Sequence, residues 1–296
     1  MRCFLTLLLA TLGVAHAAYC FDVPGEDRTL LPRLQGTPRQ VTEVRSEANP
    51  AAPDAPATVT TRTFTLEGGR VTRVLTSAQG GLTGSLLTLT PGTGHYQQLS
   101  RVSGGNAGRA QPITLTDLQA APRTPVTVRF DTQGRLTAYS GVWEDRTRQA
   151  VKEQVSCTYS SANRQVVERV TRAGAVSQVT TAQLDGRGRL ILREITVSLP
   201  PGTGAGPGAG STRQTTYTYA PDGTGIRVED RANGELLPAQ LMTTDAAGRV
   251  TRIEMADLGD VQEQWRIEYD AQGNWVRQTG TMQGQTFMTL TRRVTY

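Results

Sequence analysis

The side chains able to do chemistry are few and widely spaced. The chain of 296 residues holds 2 histidines and 3 cysteines, and a leader ending at Ala17 would remove His16 and Cys3, leaving His95, Cys20 and Cys157. A single imidazole excludes a His-x-x-x-His zinc site, which needs two on one face. A hydrolytic triad on His95 would need a presented serine, and no Gly-x-Ser-x-Gly elbow occurs. P-loop, dinucleotide and EF-hand patterns are also missing, and the alternating glycines from Gly202 to Gly210 lack the Lys-Ser/Thr ending of a phosphate loop. The expectation is a protein without cofactor, metal or catalytic residues. Its enzyme alternative is a secreted hydrolase with a loop site around His95.

The recurring carboxylates belong with a turn rather than with each other. Asp131, Asp185, Asp245 and Asp270 each precede a glycine by three positions, which the turn explains without a glycosidase pair converging on one bond. Among the tryptophans, Trp265 and Trp275 fall on the core side of their strands by register, leaving Trp143 as the ring available for sugar stacking.

The elements that must position these groups are strands. Hydrophobic residues make up 37%, charged residues 19% and aromatics 5%, with 43 threonines and a single lysine, Lys152. Threonine at that level suits pleated surfaces better than helices. At the start, Arg2, the apolar run Cys3 to Val14 and Ala15-His16-Ala17 form a secretion signal over residues 1–17. That run is short for a bilayer of roughly 30 Å, so no transmembrane helix is expected. Cys20 follows Tyr19 and lacks the aliphatic residue of a lipobox. The expected product is a free exported species of the periplasm, cell envelope or exterior, where Cys20 and Cys157 would form one disulfide.

A repeat organises the rest. Tyr269-Asp270-x-x-Gly273-Asn274-Trp275 matches Thr244-Asp245-x-x-Gly248-Arg249-Val250, Leu184-Asp185-x-x-Gly188-Arg189-Leu190 and Phe130-Asp131-x-x-Gly134-Arg135-Leu136. Weaker copies stand at Tyr159 to Arg164, with Asn163 in the glycine position, and at Tyr219 to Thr224, with Gly223. The steps between these positions are 29, 25, 35, 25 and 25 residues, and the long step holds a Gly/Pro-rich insertion at 199–212. A second turn series runs in phase at Gly234, Gly259 and Gly284. Asp can accept from backbone N–H groups two residues on, and the glycine supplies a left-handed conformation, so each unit is strand, turn, strand, turn.

Pairing across the turn sets Asp131 against Arg135, Asp185 against Arg189 and Asp245 against Arg249. The net charge of +5 therefore does not expose a basic face, and no nucleic-acid partner is expected. Counting by twos, Val126 and Val128 join Phe130 on a core face, and Trp265 and Ile267 join Tyr269, while Ile191, Ile195, Ile253 and Val276 fall on the other. Further strands are predicted at 39–46, 58–66, 70–76, 84–90 and 95–102.

The Tyr-Asp-x-x-Gly-Asn/Arg-apolar unit resembles the YD repeat of the Rhs family, most closely at 265–278 and 126–138. The resemblance implies a long β-sheet wound into a spiral or shell. Neither the Asp-Pro of that family's autocleavage core nor a toxin tail is present here, so encapsulation and self-cleavage are not implied. The expected fold is all-β, an antiparallel meander of hairpin repeats of about 25 residues forming a large curled or spiral sheet. Residues 18–296 would make one domain, with degenerate repeats over 18–125 and clearer ones over 126–296. The expected role is an envelope or exterior scaffold with a protein or glycan partner. The architectural alternative is an outer-membrane β-barrel, against which the last strand places an arginine on each face, Arg292 on one and Arg293 on the other.

Overall fold

The computed structural model describes residues 20, 34–48, 57–68, 70–78, 83–90, 92–100, 112–132, 135–144, 150–162, 164–198, 210–257 and 260–296. The leader, Gly134, Asn163, Gly259 and most of the insertion lie outside the described residues, as does the side chain of Trp143. Nineteen strands follow in chain order: β1 (Gln40–Glu47), β2 (Thr58–Glu67), β3 (Arg70–Ala78), β4 (Thr83–Thr90), β5 (Thr93–Ser100), β6 (Thr124–Phe130), β7 (Leu136–Glu144), β8 (Ala150–Ser160), β9 (Gln165–Arg172), β10 (Ala175–Leu184), β11 (Leu190–Ser198), β12 (Gly210–Tyr219), β13 (Gly225–Ala232), β14 (Glu235–Leu236), β15 (Gln240–Thr244), β16 (Val250–Asp257), β17 (Asp260–Tyr269), β18 (Trp275–Met282) and β19 (Gln285–Thr295). One helix, α1 (Leu115–Ala120), lies between β5 and β6. Residues 210–212, expected in the insertion, are the start of β12.

Each strand pairs antiparallel with the next, and the last pairs with the first. β1 joins β19 from Gln40↔Thr295 to Glu47↔Met288. The two-residue β14 stands aside, since β13 pairs with β15 directly, and the remaining 18 strands close into a barrel. The meander is thus as expected, but the curled or spiral sheet is corrected to a ring. Closure leaves no unpaired edge among these strands, which is how a long antiparallel sheet avoids edge-to-edge association.

The turns form by the expected chemistry. In the copy at Asp185, the Gly188 N–H donates to the Asp185 carbonyl at 3.0 Å, and the Arg187 and Arg189 N–H groups donate to Asp185 Oδ1 at 2.8 and 2.9 Å. The same bonds recur at Asp245. Gly188, Gly223, Gly248 and Gly273 are all left-handed, with φ of +77°, +75°, +77° and +93°. In the weak copy at Tyr159 the described left-handed residue is Arg164, with φ of 47°. At the other end, Asn233-Gly234 and Gln283-Gly284 both have positive φ at two successive residues, the requirement of a type I′ hairpin.

A bulge accompanies these turns and changes which residues face inward. The register slips at Gln183/Leu184, Thr243/Thr244, Glu268/Tyr269, Arg129/Phe130 and Thr65/Leu66. An extra residue on one strand inverts the alternation beyond it. Ile195 and Ile253, expected on the outer face, consequently pair with Thr180 and with Met242 and Trp265 on the inner one. Phe130, expected in the core, is 51% exposed, while Val126 and Val128 are buried as expected.

The enclosed face can be followed around the ring through directly opposed residues. Val294, Val41, Phe64, Val74, Leu87 and Tyr96 make one row; Tyr139, Val155, Val170 and Gln178 make another. Cys20 joins this face through its disulfide to Cys157, 137 positions away, and only 3% of it is exposed. In the loop-entropy account such a long closure contributes about 5 kcal/mol.

Consecutive repeats interlock at the Asp-x-x-Gly rim. Arg135, Arg189 and Arg249 each pair with the aspartate of their own turn at 2.6–2.7 Å. Each also stacks on the tyrosine of the following repeat, Tyr159, Tyr219 or Tyr269, at 4.1, 4.0 and 4.7 Å from the ring centre. The tyrosine hydroxyls reach back to the carbonyls of Leu136, Leu190 and Val250. At the seam, Asn274 replaces the arginine: its Nδ2 donates to Tyr296 Oη at 2.9 Å, and Tyr296 donates to Asp270 at 3.1 Å.

Candidate functional site

Two places hold chemistry-bearing groups, one inside the wall and one outside. The interior is graded. Near the Asp-x-x-Gly rim it is apolar, with Leu190, Ile226, Val250 and Trp275 buried. Farther along the strands the same face carries ion pairs: Arg172 with Glu153 at 2.7 Å, Arg213 with Asp230, Arg292 with Glu43 at 2.6 Å, and Arg45 with Glu47. Glu153 and Asp230 are buried whereas the Arg172 and Arg213 side chains are 53% and 40% exposed. Water therefore reaches the guanidinium side of these pairs.

Glu168 sits between the two zones. It has no exposed surface and stands opposite Cys157 and Thr180. Its Oε2 accepts the Cys20 N–H at 3.1 Å and lies 3.3 Å from Cys20 Sγ, while Oε1 is buried without a hydrogen-bond partner. Burial pushes its carboxyl up to about 7; the Cys20 N–H and the Arg193 charge oppose that rise, and Glu153 adds to it. The two sulfurs and a Glu168 oxygen lie within 4.8 Å of one another. Sulfurs joined in a disulfide offer no thiolate, so this trio does not fit a zinc-type donor set.

The outer place surrounds His95. Thr88 on β4 is opposed on one side by Arg73 of β3 and on the other by His95 of β5. Above them lies α1, begun by a capping box in which the Asp117 N–H donates to Thr114 Oγ1 at 3.2 Å and the Thr114 N–H to Asp117 Oδ2 at 2.8 Å. The helix packs against β4 and β5, and Leu86 on β4 is 2% exposed. Gln97 Nε2 donates to the carbonyls of Gln119 and Ala121 at 3.0 and 2.9 Å, which ties the helix end to the wall. A cavity of about 200 Å³ remains, lined by Arg73, Thr88, His95, Gln97, Gln119 and Arg123 over Leu86. No carboxylate lines it, so nothing among its lining residues would orient His95 as a triad base. Arg73 and Arg123 were not recognisable as partners of His95 from the sequence. The capping pair Thr114 and Asp117 was the available signal for the missed helix.

The predicted site residues thus divide. Cys20 and Cys157 are brought together, and the turn aspartates Asp131, Asp185, Asp245 and Asp270 occupy separate turns around one rim. Trp275 is buried on the inner face, with Arg292 3.7 Å over its ring, and Trp265 meets Phe287 edge to face at 5.5 Å. No described helix is long and apolar enough to cross a membrane, which says nothing of strands.

No protein-family model matches the chain, and no curated protein does. Among solved structures it is similar to a porin-like protein from Bacteroides uniformis, at 9% identity and a TM-score of 0.41, covering 88% of this chain and 99% of that one. It is also similar to TcdB2-TccC3 with Cdc42 and to TcdB2-TccC3 without its hypervariable C-terminal region, each at 11% identity and a TM-score of 0.15. There the match covers 81% and 82% of this chain but 18% of the other. At these scores the likenesses assign neither family nor activity to this chain.

Proposed function

We propose that this protein is an exported, water-facing β-barrel that serves as a rigid binding scaffold in the cell envelope or outside it, with a protein or glycan partner and no catalysis of its own. The observation that carries this reading is the outer face. Thr181, Glu194, Gln214 and Arg231 form one outward row across four strands, and Arg252, Arg266, Thr279 and Thr289 form another. An arginine facing lipid costs up to about 2–4 kcal/mol at the midplane and less towards the interfaces; the first row holds Arg231, and the second holds Arg252 and Arg266. The secretion signal and the disulfide support export. The tyrosine locks at the rim tie neighbouring repeats together, which suits a rigid scaffold.

A second reading is a membrane-spanning barrel, favoured by the closed ring of 18 antiparallel strands. Envelope fractionation separates the two. Release into the soluble fraction on osmotic shock is expected; retention in the pellet through an alkaline carbonate wash would overturn the water-facing reading.

A further inference from the structure

The groove under α1 gathers basic side chains that the fold leaves without work. Arg135, Arg189 and Arg249 are each held by an aspartate, but Arg73, His95 and Arg123 have no ion pair among the described residues. They arrive from three directions. Arg73 and His95 flank Thr88 on successive strands, each step being about 5 Å. Arg123 comes from the segment between α1 and β6. Gln97, 4% exposed and bonded to two carbonyls, makes the wall between them rigid. The cavity they line, about 200 Å³, falls below the roughly 300 Å³ where drug-sized sites begin, so it suits one small group.

We propose that this groove binds a phosphate or sulfate ester of a sugar, the oxyanion lying among Arg73, His95, Arg123 and the Thr88 hydroxyl. Donors converging from three sides suit a tetrahedral anion, whose several oxygens can each accept, better than a carboxylate that one guanidinium fork would fill. The sugar has a place as well. An adjoining cavity of about 360 Å³ shares Arg73 and Thr88 and is otherwise lined by Thr65, Thr72, Thr90, Glu67 and Leu89. Hydroxyls and one acid suit a neutral polyol better than a second anion. The inference rests on the water-facing binding reading and names the kind of glycan it would take.

The test is calorimetric titration of the exported protein with glucose 6-phosphate, inorganic phosphate and glucose. Glucose 6-phosphate should bind more tightly than phosphate, and glucose should not bind measurably. Arg73→Ala and Arg123→Ala should each weaken binding about tenfold, as expected for losing one charge-assisted bond, with melting unchanged because both side chains are exposed. Arg277→Ala, on another part of the wall, should bind as wild type. No saturable binding of either anion, or equal binding in the Arg73 and Arg123 variants, would overturn the site. Equal affinity for phosphate and glucose 6-phosphate would overturn the sugar extension. Failure here with the protein in the soluble envelope fraction would leave the barrel reading intact, whereas a membrane-retained protein that still binds would overturn that reading alone.

Discussion

Glu168 is a carboxyl whose ionisation the fold resists. Its folded carboxyl stands near 7, against an ordinary 4.5, because burial disfavours the anion. A raised carboxyl leaves stability intact below about 4.5 and removes it as pH rises through about 7. The groups facing it are the Cys20 N–H, Arg193 and Glu153; the cation favours the ionised form and Glu153 opposes it. Glu168→Gln should therefore be more stable than wild type at alkaline pH, by roughly 2–4 kcal/mol, and closer to it at pH of about 5. Urea denaturation at several pH values checks this, and parallel curves for the two proteins would contradict it. This position was not readable in advance, because Val166, Glu168 and Val170 alternate like any strand face and the disulfide neighbour comes from 148 positions away.

Among the elements, the Asp-x-x-Gly hairpin was legible because its causes are local. Asp245 accepts from the Ala247 and Arg249 N–H groups, and its hydrogen bond from Arg249 holds its carboxyl below the usual range. Gly248 has φ of +77° and open space where a Cβ would stand, so a substitution there reports backbone strain alone. Gly248→Val should cost about 1–3 kcal/mol and Gly248→Asn much less; chemical denaturation giving equal losses would mean the glycine is not needed for its conformation. The link between repeats was not legible. The sequence pairs Arg189 with Asp185, but only the folded sheet stacks it on Tyr219. A double-mutant cycle on Arg189 and Tyr219 should show coupling of about 0.5–1 kcal/mol, while Arg189 with Tyr159 should show none. The slip one pair beyond the turn was not legible for a related reason: it shifts pairing by one residue without a residue type of its own, so counting by twos puts Ile195 and Ile253 on the wrong face.

At the scale of the whole molecule, the meander follows from hairpins repeated along the chain, but closure does not. It depends on accumulated twist and on the fit of β1 to β19, whose Glu43 and Arg292 meet across 249 positions. The outer groove is a product of the same pairing, since Arg73, Thr88 and His95 become a row only when three strands align. Closure is also what separates an enclosed, graded interior from an outer wall. The direct test is an oxidative cross-link between Val44→Cys and Thr291→Cys, which stand directly opposite across the seam within the reach of a disulfide. Peptide mapping of the monomer should recover a bond joining those two positions beside the native Cys20–Cys157 bond. Two free thiols at the seam, or a bond found only in dimers, would contradict a closed barrel.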